Sequence, residues 1–281
     1  MVGGYPFKPF MNLPASLSVP VTRLFRGQPD ELLQDEVAAE EPLELRVEGK
    51  SVAVVMRTPG HDEELAAGFL LTEGVITGPQ DVFEISICPS RSEGYGGVVD
   101  VLLAKGEVDW SRLTRHVFAS SSCGVCGKAT IESVFQSFAP RAWDWTVPRE
   151  LVWSLPDKLR AAQLTFEKTG GLHASAIFDL EGQLVVARED VGRHSALDKA
   201  LGFALRQDRL PLDRHVLLVS GRVSFELMQK ALAGGIGLVA AVSAPSSLAV
   251  DFARESGQTL VGFLRGGRMN VYAGQERISW D

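Results

Sequence analysis

The residues best suited to chemistry are Cys123 and Cys126, set in the stretch Ser120 to Ser133, which reads S-S-S-C-G-V-C-G-K-A-T-I-E-S. They are two of the chain's three cysteines. Serines and glycines on both sides leave the sulfurs uncrowded, and the run from Lys128 to Phe138 that follows can be helical. A helix starting near Cys123 or Gly124 points its unsatisfied N–H groups and positive dipole end at those sulfurs. Such a setting favours thiolate over thiol, and the thiolate is the nucleophile. The pair has three readings: a reactive sulfur centre, a redox dithiol, or part of a metal site. A four-cysteine zinc site cannot be built from Cys88, Cys123 and Cys126. A three-cysteine-plus-histidine site needs Cys88 and one of His61, His116, His173, His194 or His215, and no second C-x-x-C or H-x-x-x-H spacing supports it. A thioredoxin-type motif follows the first strand of a small domain, whereas this one lies near mid-chain. Reactive sulfur therefore leads, with redox exchange and metal binding behind it.

A second set of residues fits anion binding. Glu189-Asp190-Val191-Gly192-Arg193-His194, Ser220-Gly221-Arg222 and Ser243-Ala244-Pro245-Ser246-Ser247 each follow an expected strand and lead into an expected helix. In open α/β sheets ligands gather beyond the carboxyl ends of the strands. Gly, Ser and an N1-type Pro there leave backbone N–H groups free at helix starts, which suits phosphate. The turn Arg265-Gly266-Gly267-Arg268 adds two guanidiniums, whose forks match phosphate oxygens. His173, in G-G-L-H-A-S, and His194 are expected to face the same site.

The elements that must position these residues follow from periodicity. Residues 1–20 are rich in Gly, Pro and isolated aromatics (Tyr5, Phe7, Phe10) and read as an extended or mobile arm. Leu43, Leu45 and Val47 alternate with charged residues, Gly49 turns the chain, and Val52, Val54 and Met56 alternate back, which is a β-hairpin. Thr58-Pro59-Gly60 breaks it, and Asp62 can cap a helix bearing Leu65, Ala66, Phe69 and Leu70. The acids Asp62, Glu63 and Glu64 match the dipole preference of a helix start. Further strands are Phe83 to Ile87, ending beside a small buried Cys88, and Val98 to Leu103. Beyond a linker from Pro140 to Val152 comes a helix from Leu155 to Lys168. Two strands then meet at Glu181-Gly182, and Ser195 to Arg206 is a helix. His215 to Val219, Leu238 to Val242 and Thr259 to Leu264 are strands, alternating with helices Val223 to Ala233 and Ser246 to Glu255. Met269 to Tyr272 closes the series as a hairpin partner. Short apolar runs alternating with helices indicate a mainly parallel α/β sheet with helices on both faces. The chain divides into the arm at 1–20, a smaller N-terminal α+β portion at 21–115, and an α/β domain at 116–281 carrying the C-x-x-C.

Composition bounds the partners. Of 281 residues 45% are apolar, enough for a large core, and the formal net charge is −7. That balance argues against a nucleic-acid binder, and no apolar run approaches the roughly 18 residues of a membrane span. Scarce cysteine and the lack of a charged-then-apolar leader are expected of a protein in the reducing cytoplasm.

Five stretches, in order, carry a resemblance: the cysteine segment, G-G-L-H-A-S, E-D-V-G-R-H-S-A-L-D-K, V-S-G-R-V-S-F-E and G-F-L-R-G-G-R-M-N-V-Y. With D-E-V-A-A-E-E-P-L-E-L and L-A-A-G-F-L-L-T-E-G-V-I they resemble the FdhD family of formate dehydrogenase accessory sulfurtransferases, over roughly Asp35 to Ala273. The resemblance implies an α/β fold like that of cytidine deaminases, and a homodimer. It implies a sulfur carrier that takes persulfide sulfur from a cysteine desulfurase. The sulfur passes to the molybdenum (or tungsten) bis-guanine-dinucleotide cofactor bound for formate dehydrogenase, and the protein holds no permanent metal of its own. Carried across, Cys123 bears the persulfide, Cys126 assists, and Phe263, Leu264, Arg265, Gly266, Gly267 and Arg268 lie on the cofactor.

Two rival readings have sequence requirements of their own. A zinc deaminase needs H-x-E followed by P-C-x-x-C. Here His173-Ala174-Ser175 lacks the glutamate and follows the cysteines, and Ser122 stands in the proline's place. A non-catalytic cofactor chaperone needs neither cysteine.

Overall fold

The computed structural model describes residues 14–88, 97–104, 110 and 139–280. Its centre is a six-stranded sheet. In chain order the strands are β8 (His173–Asp179), β9 (Leu184–Asp190), β10 (His215–Val219), β11 (Leu238–Ala241), β12 (Thr259–Arg265) and β13 (Arg268–Ala273). They lie side by side in the order β13-β12-β11-β10-β8-β9. The middle strands β10, β11 and β12 run parallel. They are joined by crossover helices, which we number α5 (Phe225–Ala233) and α6 (Ser247–Ser256) in chain order. The flanking strands are antiparallel, because β8 and β9 form a hairpin and so do β12 and β13. The sheet is thus mixed, which corrects the mainly parallel expectation: β8 runs against β10.

Side chains alternate across this sheet with the two-residue period of a strand. Ile177, Leu217, Val219, Val239 and Leu260 join one buried cluster, on the side of α4 (Arg193–Arg206), α5 and α6. Ala176, Phe178, Val216, Leu218, Ala240 and Val261 join a second, with Val152, Leu155 and Leu159 of α2 (Arg149–Ala162). Helices therefore cover both faces. The helix expected from Leu155 to Lys168 is two: α2 starts earlier, inside the expected linker, and breaks at Gln163 before α3 (Leu164–Thr169).

A four-stranded sheet, β4-β3-β6-β5, is built from β3 (Glu41–Val47), β4 (Lys50–Arg57), β5 (Val82–Cys88) and β6 (Gly97–Leu103). It shares the first cluster through Leu43, Leu45, Val99 and Val101. Cys88 is half-buried rather than sealed in the core. Short strands β7 (Val147–Pro148) and β14 (Ile278–Ser279) pair in parallel. The end of the expected arm is ordered: β1 (Ser16–Arg23) pairs with β2 (Glu31–Ala38). The architecture is a mixed α/β fold with several sheets and, among the described residues, six α-helices. None of these helices is long and apolar enough to cross a membrane.

Helix α1 (Asp62–Thr72) joins the two sheets. It is buried at every residue from Glu64 to Thr72, as a helix apolar on all sides must be. It lies against α4 where Gly68 faces Gly202. A Cβ on Gly68 would fall on the Asp198 carbonyl oxygen, and one on Gly202 on the Glu64 carbonyl oxygen. Asp62 does not cap the helix; it forks onto Arg57, with Nε to Oδ1 at 2.9 Å and Nη2 to Oδ2 at 3.0 Å. The cap position is His61, in the left-handed region at φ 59°.

The acids at the helix start are also ion-paired: Glu63 with Arg206, and Glu64 with Arg188 through bonds of 2.6 and 2.8 Å. Burial by itself raises the Glu64 carboxyl, but the Arg188 fork and His61 outweigh it and bring the pKa from 4.5 down to about 2. A depressed carboxyl contributes stability that is present above its unfolded value and lost as pH falls toward its folded one. Glu64→Gln is therefore expected to cost about 2–3 kcal/mol in denaturant unfolding at pH 6. That gap narrows as pH is lowered from 6 to 3.5; a gap that stays constant refutes the assignment.

Candidate functional site

One edge of the six-stranded sheet gathers the loops. Because β8 runs against β10, its first residue His173 lies beside the carboxyl ends of β9 and β10. The starts of α4, α5 and α6 follow the carboxyl ends of β9, β10 and β11, and the turn from Arg265 to Arg268 closes β12 onto β13. These loops are laced together by backbone bonds. Ser220 N donates to Ala174 O at 2.9 Å, Val223 N to Ala244 O at 3.1 Å, Ser246 N to Val223 O at 2.9 Å, and Phe263 N to Ser243 O at 3.0 Å. The expected anion loops thus occupy a single edge, with three helix N-termini directed there.

The side chains here separate into those left open and those the fold engages. His194 Nε2 lies 3.0 Å from Glu226 Oε2 and 3.4 Å from Ser224 Oγ. The bond from His194 holds the Glu226 carboxyl below its usual range, against the opposing effect of burial. His173 is half-buried, and burial first, then the charges of Arg193, His194 and Arg222, lower its pKa. Gly221 leaves room for that ring, since a Cβ there would sit 3.1 Å from His173 Nδ1. Arg193 Nε is buried with no hydrogen-bond partner among the described residues. Arg222 is exposed.

On the hairpin, Gly266 and Gly267 have φ of 58° and 70°, the left-handed pair that a tight two-residue turn requires. Arg265 and Arg268 are exposed on either side of it. Phe263, at φ 53°, sits in a bulge between Gly262 and Arg265, and the Arg265 guanidinium lies 5.8 Å from its ring. A bulge re-aims the side chain it carries. Two of the expected residues also have roles in the fold. Ser220 Oγ accepts from Ala174 N at 2.9 Å, and the Leu264 side chain is core, 1% exposed.

Sequence reasoning missed several contacts around these loops. Ser224 and Glu226 hold His194, and Asp190, itself in an expected loop, forms a buried network with Thr58 and Lys199. The signal for Asp198 and Lys199 was present: both sit inside the apolar run A-L-D-K-A-L, and buried charges are paired. Asp198 bonds Lys230 Nζ at 2.9 and 3.0 Å and Thr72 Oγ1 at 3.0 Å. Cys123, Cys126 and the helix expected after them lie outside the described residues.

The model of the FdhD/NarQ family matches residues 38–279. A protein of Streptomyces avermitilis called "Sulfur carrier protein FdhD" is 56% identical over 254 residues, covering 87% of this chain and 89% of that one. One of the same description from Mycobacterium tuberculosis is 52% identical over 257 residues, covering 87% and 92%. Among solved structures, a "putative formate dehydrogenase accessory protein from Desulfotalea psychrophila" superposes with a TM-score of 0.76 at 27% identity, over 95% of this chain and 100% of the other.

Proposed function

We propose, from the premise that this chain belongs to the FdhD/NarQ family, that it is a sulfur carrier serving the maturation of formate dehydrogenase. The Cys123 thiolate attacks the terminal sulfur of a cysteine desulfurase's persulfide. A new S–S bond forms on Cys123, and the donor cysteine leaves as thiolate. Cys126, three residues on in the sequence, shares that sulfur or protects it as a disulfide. The acceptor is the molybdenum bis-guanine-dinucleotide cofactor, held at the sheet edge while sulfur is delivered. The protein works as a cytoplasmic homodimer with the layering of a cytidine deaminase.

The observation that carries this reading is the gathering of arginines and helix starts on one side of the molecule in an acidic chain. With a net charge of −7, the chain nevertheless sets Arg193, Arg222, Arg265, Arg268 and three helix starts along one edge. Phosphates and guanines need that combination of guanidinium forks and free N–H groups. The deciding experiment is mass spectrometry of the protein after incubation with a desulfurase and cysteine. An added sulfur mapped to Cys123 supports the proposal, and its absence ends it.

The hairpin can be tested separately. Arg265→Ala and Arg268→Ala are each expected to weaken guanosine diphosphate binding roughly three- to tenfold in calorimetric titration. Persulfide loading should survive both changes. Unchanged affinity removes the hairpin from the site.

A further inference from the structure

We propose that Thr58, Asp190 and Lys199 form a buried latch that positions Arg193 and His194, so that the loop after β4 sets the geometry of the ligand-binding edge. The proposal rests on the reading of that edge as the cofactor site. The three residues are 2%, 0% and 1% exposed. So deeply buried, they act through what they hold.

Every polar atom of the network has a direction. Lys199 Nζ donates to Thr58 O and pairs with Asp190 Oδ2, each at 2.7 Å. Asp190 Oδ2 also accepts from Thr58 N at 3.1 Å, and its Oδ1 accepts from Gly192 N at 2.8 Å. Thr58 Oγ1 accepts from Val191 N at 3.1 Å. The two residues just before α4 are thereby fixed by their backbone N–H groups. Arg193 and His194, the next two, begin the helix that also carries Lys199.

Magnitudes indicate what the network is for. A buried ion pair often adds no stability over apolar residues of the same volume, because desolvation offsets the attraction. Apolar packing would fill this space equally well, but it has no directional bonds. What the pair supplies is a fixed path for residues 190–192, and with it the placement of the two side chains that follow. Thr58 contributes from the other sheet, 133 positions away from Val191. The latch thus makes the edge depend on docking of the four-stranded sheet.

Thr58→Val carries the test, since it is nearly isosteric and removes only the acceptor for Val191 N. Lys199→Met strands the Asp190 charge and is the variant at risk of not folding. In the ligand-free protein, Thr58→Val is expected to shift the His194 and His173 ring signals in NMR, while Thr58→Ser, which keeps the hydroxyl, leaves them as in the wild type. Affinity for guanosine diphosphate should fall roughly three- to tenfold in Thr58→Val and return in Thr58→Ser. A lowered melting temperature with ring signals and affinity unchanged overturns the latch and leaves a merely structural contact. If the wild type does not bind the nucleotide, the cofactor reading fails, and the ring signals still decide for or against the latch.

Discussion

Cys123→Ala is expected to abolish sulfur transfer, read as formate dehydrogenase activity in a host lacking its own copy of the carrier and as loss of the added sulfur in mass spectrometry. The effect should be total rather than partial, because persulfide transfer needs a thiolate to form the S–S bond and no neighbouring hydroxyl can stand in for it. Cys126→Ala is expected to be weaker or equal, according to how much of the relay it shares. Cys88→Ala is the control: that thiol lies half-buried at the end of β5, on the other sheet, and its loss should leave transfer intact. The outcome separates the two surviving classes of function. A protein that only binds and hands over the cofactor keeps its activity without Cys123, and a sulfur carrier does not.

The parts of the fold that the sequence made legible are those governed by local period. The hairpin of β3 and β4 follows from alternation around Gly49, and β10 runs from His215 to Val219 as its apolar run does. The parts it hid depend on contacts distant along the chain. Helix α2 runs through Pro156, which reads locally as a helix start. It persists because Val152, Leu155 and Leu159 are buried on its inner face. Strand β1 was obscured by Pro20, which an edge strand tolerates. At the site, sequence placed the loops at one edge because strand direction dictates it. It could not reveal which atoms the fold consumes: Ser220 Oγ answers to Ala174, and Leu264 packs inward. Nor could it pair Thr58 with Lys199, 141 positions away.

Gly202→Ala is expected to lower stability by about 2 kcal/mol or more, a melting-temperature fall of roughly 5 °C or more for a chain of this size. Local propensity points the other way, since alanine gains about 1 kcal/mol over glycine inside a helix. Packing decides the sign. The new Cβ would land on the Glu64 carbonyl oxygen, and the backbone N of Gly68 is only 2.9 Å away. Backbone cannot yield by changing rotamer, so α1 and α4 must part along their whole contact. Gly68→Ala forces the same separation through the Asp198 carbonyl. The double variant should therefore cost less than the sum of the two, because the helices need part only once. Strict additivity would mean that the two glycines do not share one crossing. The damage should also reach the proposed cofactor site. Helix α4 begins at Arg193 and carries both Asp198 and Lys199, so a shift that relieves the clash strains the pairs to Lys230 and Asp190. Nucleotide affinity is expected to fall in Gly202→Ala even at temperatures where the protein remains folded. Affinity equal to wild type there would show that the helix crossing and the site are mechanically independent.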